Sequence, residues 1–86
     1  MIRIYGIPNC PYCSDLKEKL TKDNIPFVDV NIMLEENKAE YDKIFEITKC
    51  DDVPIVKVGK NLLLPNTSFK SINECCEIIK KFTLNS

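Results

Sequence analysis

The chain contains no histidine. A structural zinc site wants four thiolate or imidazole ligands, usually arranged as two chelating pairs, so here it would have to be made from thiolates alone. A basic stripe is missing as well: 12 Lys and Arg face 13 Asp and Glu, the signs are interleaved, and the net charge is −1. Binding to nucleic acid driven by phosphate contacts is thereby disfavoured, and no nucleic-acid partner is expected. Long apolar runs are absent too. The longest, such as "LLL" at 62–64, falls far short of the roughly 20 residues that span a bilayer. The opening "MIRIYG" does not read as a signal peptide, so no membrane partner and a reducing cytoplasmic setting are expected, where structural disulfides rarely persist.

An even cysteine count, the mark of a secreted disulfide scaffold, is also lacking: there are five. Eighty-six residues, 44% hydrophobic and 29% charged, read as one globular domain over 1–86 with a modest core. Glu35-Glu36 reads as solvated surface. Asp51-Asp52 carries more meaning because Val53-Pro54 comes next.

What is present centres on "PNCPYCSD" at 8–15. "IRIYG" (2–6) alternates, with Ile2 and Ile4 on one side, and predicts a short strand. Pro11 suits the first position of a helix, where its missing N–H is no loss. Cys13, Leu16 and Leu20 continue at helical spacing, with Lys17, Glu18, Lys19 and Lys22 towards water. "DNIP" ends that helix and "FVDVN" (27–31) predicts a second strand. A second helix is expected from Leu34 to about Thr48, with Leu34, Tyr41, Ile44, Phe45 and Thr48 near one face. "PIVKV" (54–58), "GKN" and "LLL" predict a hairpin. "SINE" (71–74) predicts a reciprocal cap, Ser71 accepting from the Glu74 N–H while Glu74 reaches back. The closing helix presents Ile72, Cys76 and Ile79. The expected fold is α/β, ordered β-α-β-α-β-β-α, a four-stranded mixed sheet with three helices, its first two strands parallel.

Three chemistries compete for the Cys10/Cys13 pair. Zinc is poorly served, since the other thiols stand at 50, 75 and 76 and the adjacent Cys75 and Cys76 diverge on a helix. A disulfide closing a two-residue gap would constrain the unfolded chain very little. Redox exchange fits better. Cys10 falls at the helix N-cap, where the N–H groups of Tyr12 and Cys13 favour a thiolate. An exposed Cys10 is thus expected to attack and a shielded Cys13 to resolve, with no bound metal. "DVP" (52–54) should stand beside that helix start. A cis Val53–Pro54 bond there would turn the backbone groups of Val53 outward to pair with an extended peptide. Of the remaining thiols, Cys76 is expected to be buried, Cys75 to lie off the inward stripe and be exposed, and Cys50 to lie near the pair. Tyr5, Tyr41 and Phe45 are expected to be packing residues.

With "CPYC" at 10–13 and "DVP" at 52–54, the chain resembles a glutaredoxin, and the order of its elements resembles the thioredoxin fold in minimal form. The resemblance implies a thiol–disulfide oxidoreductase that reduces protein disulfides or glutathione mixed disulfides through Cys10 and Cys13. Glutathione would be its co-substrate, flanked by Tyr12 and paired with the backbone of Val53 next to Pro54. The chain departs from the family elsewhere. Thr67-Ser68-Phe69-Lys70-Ser71 replaces a Gly-Gly segment with an acidic pair, and only the aromatic, Phe69, is retained. Ile7-Pro8-Asn9 replaces a lysine, and Asp51 and Asp52 stand where a basic residue is common. Ser68 or Ser71 hydroxyls could contact a ligand instead. A second class of glutaredoxin-like redoxins is recharged by thioredoxin reductase and serves ribonucleotide reductase, and "TSFK" (67–70) is similar to its closing segment. A non-catalytic iron–sulfur or binding module is the third reading. A monomer is expected.

Overall fold

Alternation in the opening segment sorts its side chains to two faces of a sheet. In the computed structural model, which describes residues 2–84, strand β1 (Ile2–Gly6) places Ile2 and Ile4 in one apolar cluster and Tyr5 in another. Helix α1 (Pro11–Lys22) buries Cys13, Leu16 and Leu20, and helix α3 (Ile72–Leu84) buries Ile72, Cys75, Cys76 and Ile79. These two helices cover the Ile2/Ile4 face. Helix α2 (Lys38–Thr48) covers the opposite face with Ile44, against Tyr5, Val30 and Ile55. A single sheet thus has a core on either side.

The strand order is β2-β1-β3-β4. Strand β2 (Val28–Asn31) runs parallel to β1, β3 (Ile55–Val58) is antiparallel to β1, and β4 (Asn61–Leu63) is antiparallel to β3. Val58 pairs with Asn61, so the hairpin turn is Gly59-Lys60, and Gly59 takes a φ of 60° that a side chain would resist. The register pairs Gly6 with Asn31 and Tyr5 with Ile55. The ends of β1 and β2 and the start of β3 therefore meet at one end of the sheet. The expected order of elements is present. Among the described residues, no helix is long and apolar enough to cross a membrane.

Sequence expectations give way on two helices here. The second helix begins at Lys38, preceded by a 3₁₀ turn, Glu35–Asn37. Asn31 forces this: its carbonyl accepts from the Leu34 N–H and the Asn37 side-chain amide, and its Oδ1 accepts from the Met33 N–H. The chain turns there, and Leu34 is left 46% exposed instead of joining the buried face. Phe45, expected to pack, is exposed, with its ring 6.4 Å from that of Tyr41. Cys75 is the second correction, since it is fully buried. Helix α3 packs against both α1 and the sheet, so its apolar stripe is wide enough to take i, i+3, i+4 and i+7 (Ile72, Cys75, Cys76, Ile79), and not the narrower set read from sequence. Burial pushes the Cys75 thiol up to about 12.

On the α2 side, Glu40 accepts from Arg3 Nε at 2.7 Å, from Arg3 Nη2 at 2.8 Å and from the Tyr5 hydroxyl at 2.5 Å. The Arg3 hydrogen bonds hold the Glu40 carboxyl below its usual range. Burial first, then the Glu40 hydrogen bond, pushes the Tyr5 hydroxyl up to about 12. Glu40→Ala strips the buried Tyr5 hydroxyl of its acceptor and should cost about 1–3 kcal/mol in urea denaturation. The lowered carboxyl contributes stability above the unfolded glutamate pKa, about 4.3, and that contribution is lost as pH falls through the lower folded value. Wild type should therefore lose more stability than Glu40→Ala between pH 7 and pH 3. Equal losses would show that the network does not couple to folding.

Candidate active site

Cys10 is the N-cap of α1, in extended conformation (φ −100°, ψ 109°), and Pro11 follows at the first helical position. The Cys13 N–H donates to Cys10 Sγ at 3.2 Å. This is the placement expected from "CPYC", with one difference. Cys10 is only 8% exposed, not an open thiol, because its side chain folds back onto the helix donor. The asymmetry persists as an order, for Cys13 is 1% exposed. Burial is the main cause that pushes the Cys13 thiol up to about 12, followed by its hydrogen bond with Cys10. The Ile7 backbone N–H and the charge of Lys17 act in the opposite direction. All five cysteines are free thiols.

Gly6 is a residue that sequence reasoning missed. It continues the Ile2/Ile4 row towards α1, and a Cβ built on it would lie 2.9 Å from Cys13 Sγ and 3.3 Å from Cys13 Cβ. The sulfur occupies the space a side chain would need. A glycine ending an alternating strand four residues before the first cysteine, in a chain with only two glycines, was the available signal.

Tyr12, in the first turn of α1, is 66% exposed. It lines a cleft of about 270 Å³ together with Asp52, Val53 and Pro54 on one side and Phe69, Lys70 and Ser71 on the other. The sequence-predicted contact residues Tyr12, Val53 and Pro54 are thus brought together. Cys10 and Cys13 do not line this cleft, which flanks the loop that carries them. The Val53–Pro54 bond is cis. Neither the N–H nor the C=O of Val53 takes a backbone partner among the described residues.

The segment heading α3 is more closed than its hydroxyls suggested. Ser68 Oγ accepts from the Leu64 N–H at 3.0 Å, and Ser71 Oγ caps α3 by accepting from the Glu74 N–H at 3.1 Å. Glu74 reaches back as a cap residue should, but its carboxylate takes the N–H of Lys70 at 2.6 Å in place of the expected N–H of Ser71. Cys50 is half-buried on the α2 side, its Sγ 3.8 Å from the Asp52 carbonyl and its N–H donating to Thr48 Oγ1. It packs with the face opposite to the one that α1 covers. No group of three or more Cys, Asp or Glu suited to hold a metal is found among the described residues.

The glutaredoxin family model matches residues 2–63 of the chain. A glutaredoxin-like 8.6 kDa protein from the rubredoxin operon of Clostridium pasteurianum, itself uncharacterised, is 36% identical over 64 residues, covering 74% of this chain and 83% of that protein. Among solved structures, a thioredoxin-like protein superposes with a TM-score of 0.69 at 17% identity, covering 95% of this chain and 99% of that one. The glutaredoxin of Archaeoglobus fulgidus gives a TM-score of 0.67 at 25% identity, covering 95% and 84%. The fold is thioredoxin-like.

Proposed function

This chain belongs to the glutaredoxin family, and from that premise we propose that it reduces disulfides by dithiol exchange, with Cys10 as nucleophile and Cys13 as resolving thiol. The observation that carries the reading is the helix-head N–H of Cys13 donating to Cys10 Sγ while the Cys13 sulfur lies buried behind it. Cys10, as thiolate, attacks one sulfur of a substrate disulfide; the S–S bond breaks and the departing thiolate takes up a proton. Cys13 then attacks Cys10, closing a Cys10–Cys13 disulfide and releasing the second substrate thiol. Two electrons have passed from protein to substrate.

Tyr12 and the unpaired backbone of Val53 form the dock in this reading. The exposed ring flanks an extended peptide, which pairs with Val53 as a short added strand. Glutathione is the co-substrate implied by the family, held weakly, because Asp52 stands in the cleft and Asp51 beside it and glutathione brings two carboxylates. The same observation favours a second reading, in which thioredoxin reductase recharges the pair and a protein such as ribonucleotide reductase is the acceptor.

The two readings separate in one comparison. With glutathione and glutathione reductase, turnover of a small mixed disulfide should be measurable but slow. With NADPH and thioredoxin reductase, reduction of a protein disulfide is the alternative route. A fast second assay with a flat first one transfers the function to the thioredoxin-reductase reading and leaves the roles of Cys10 and Cys13 intact.

A further inference from the structure

Val53 offers its N–H and its C=O without a backbone partner among the described residues, and the residue before it, Asp52, lines the cleft. A residue with both groups free can exchange both with one residue of an antiparallel strand. In the docking proposed above, that residue is the disulfide cysteine of the incoming peptide, since it must come to the Cys10 sulfur. The antiparallel register then sets the peptide residue on the C-terminal side of this cysteine opposite Asp52. The residue on its N-terminal side falls opposite Pro54, which has neither a charge nor an N–H. Residues directly opposite lie on one face with Cβ atoms about 5 Å apart, so unlike charges attract there and like charges repel.

Among the described residues, Asp52 is the only carboxylate lining the cleft, and none of the ion pairs there uses it. Tyr12 lines the same cleft with its ring 66% exposed, and a guanidinium is attracted to an aromatic face as well as to a carboxylate. Lys70 stands on the other wall, outside the 52–54 register, where it weakens the field of Asp52 without facing the same peptide residue. Asp51 does not line the cleft. It lies towards α2, where burial first and then the Asp51 charge raises the Tyr41 hydroxyl.

We propose that Asp52 is a specificity-determining residue of this cleft: it selects peptide disulfides whose cysteine is followed by arginine or lysine, and disfavours those with an acidic residue there. The proposal rests on the reading of the cleft as the disulfide dock.

The test uses the reduced full chain in single turnover with the blocked peptides acetyl-Ala-Cys-Arg-amide, acetyl-Ala-Cys-Gln-amide and acetyl-Ala-Cys-Glu-amide, each joined through its cysteine to thionitrobenzoate. The Cys10 thiolate forms a disulfide with the peptide sulfur and expels the coloured thiolate. Cys13 then attacks Cys10 and releases the peptide thiol, and the protein is left as the Cys10–Cys13 disulfide. Each rate is divided by that of the same probe with dithiothreitol, which removes the probe's intrinsic reactivity. Wild type should react about tenfold faster with the arginine probe than with the glutamate probe, the glutamine probe falling between. Asp52→Asn, which keeps the shape and removes the charge, should bring the ratio near one. Lys70→Gln should widen it, and Asp51→Asn should keep the wild-type ratio. Acetyl-Arg-Cys-Ala-amide, with the arginine opposite Pro54, should react like the glutamine probe. An unchanged ratio in Asp52→Asn overturns the proposal. So does a shift in Asp51→Asn as large as that in Asp52→Asn, or equal preference for arginine on either side of the cysteine, since both mark a general charge effect. A wild type that reacts equally with all probes overturns the proposal and leaves dithiol exchange standing. One that reacts with none of them faster than Cys10→Ser overturns the docking reading as well.

Discussion

Cys10→Ser should reduce disulfide reductase activity to the uncatalysed background, because a serine hydroxyl cannot form the mixed disulfide on which both half-reactions depend. Cys13→Ser should have a different signature. The first exchange at Cys10 should proceed within about threefold of wild type, and the product should accumulate as a mixed disulfide that mass spectrometry reads directly. The protein's own burial pattern sharpens this. Cys13 and Cys75 are both pushed up to about 12 by burial, so neither presents much thiolate at neutral pH. Limiting alkylating reagent should mark Cys10 before Cys13 or Cys75, and labelling at either of those first would end the assignment. The resolving step should also respond to pH. Its rate follows the thiolate fraction of Cys13, so between pH 7 and pH 9 it should rise about tenfold per unit. A flat resolving rate over that range would mean that Cys13 is already ionised in the mixed disulfide.

Gly6→Ala is expected to separate the two half-reactions. The added methyl would meet Cys13 Sγ at 2.9 Å, too close for both to stay in place. Alanine gains about 0.5–1 kcal/mol over glycine in a strand through the unfolded chain. Overpacking a buried site costs about 1–3 kcal/mol, and Cys13 has little room to yield: it is in the first turn of α1, 1% exposed, and held by the Ile7 N–H. The clash should win, leaving the variant less stable. A displacement of the resolving sulfur by about 1 Å can cost on the order of a hundredfold in rate, so resolution should slow strongly while the first attack by Cys10 changes little. Combining Gly6→Ala with Cys13→Ala removes the obstructing sulfur and should recover most of the lost stability in a double-mutant cycle. If the two changes are simply additive, the contact does not govern the position of Cys13.

What the sequence revealed and what it withheld divide along physical lines. Features set by a few neighbouring residues were legible: Pro11 at the start of α1, the Cys13/Leu16/Leu20 stripe, the Gly59-Lys60 turn, Ser71 as a cap. The meeting of Tyr12 with Val53 and Pro54 followed from the order of elements, because parallel β1 and β2 and an antiparallel β3 bring those segments to one end of the sheet. Features set by three-dimensional neighbours were not legible. Cys75 looks peripheral on an isolated helix and is buried only because α3 touches two elements at once. Leu34 has helical spacing to Tyr41 but is detached by hydrogen bonds to Asn31. The Glu74 carboxylate reaches one residue further back than the cap pattern specifies, a matter of side-chain rotamer that no spacing encodes. Cys10 has the right position for an exposed nucleophile, yet its own hydrogen bond draws it inward.

The strand order β2-β1-β3-β4 also bears on how such a protein survives its substrates. Any chain that docks extended, partly unfolded peptides risks being recruited along its own sheet margins, where unpaired backbone groups template further pairing. Here the margins are β2, four residues long, and β4, three residues long. Asp29 on the first is paired with Lys17, and Asn61 on the second is exposed. Margins that short give a passing strand too few consecutive pairs to hold. In the proposed docking, strand-like recognition is thereby confined to the Val53 backbone at the mouth of the cleft, where a bound chain would meet a cysteine pair able to release it, and not along an edge where it would stay and aggregate.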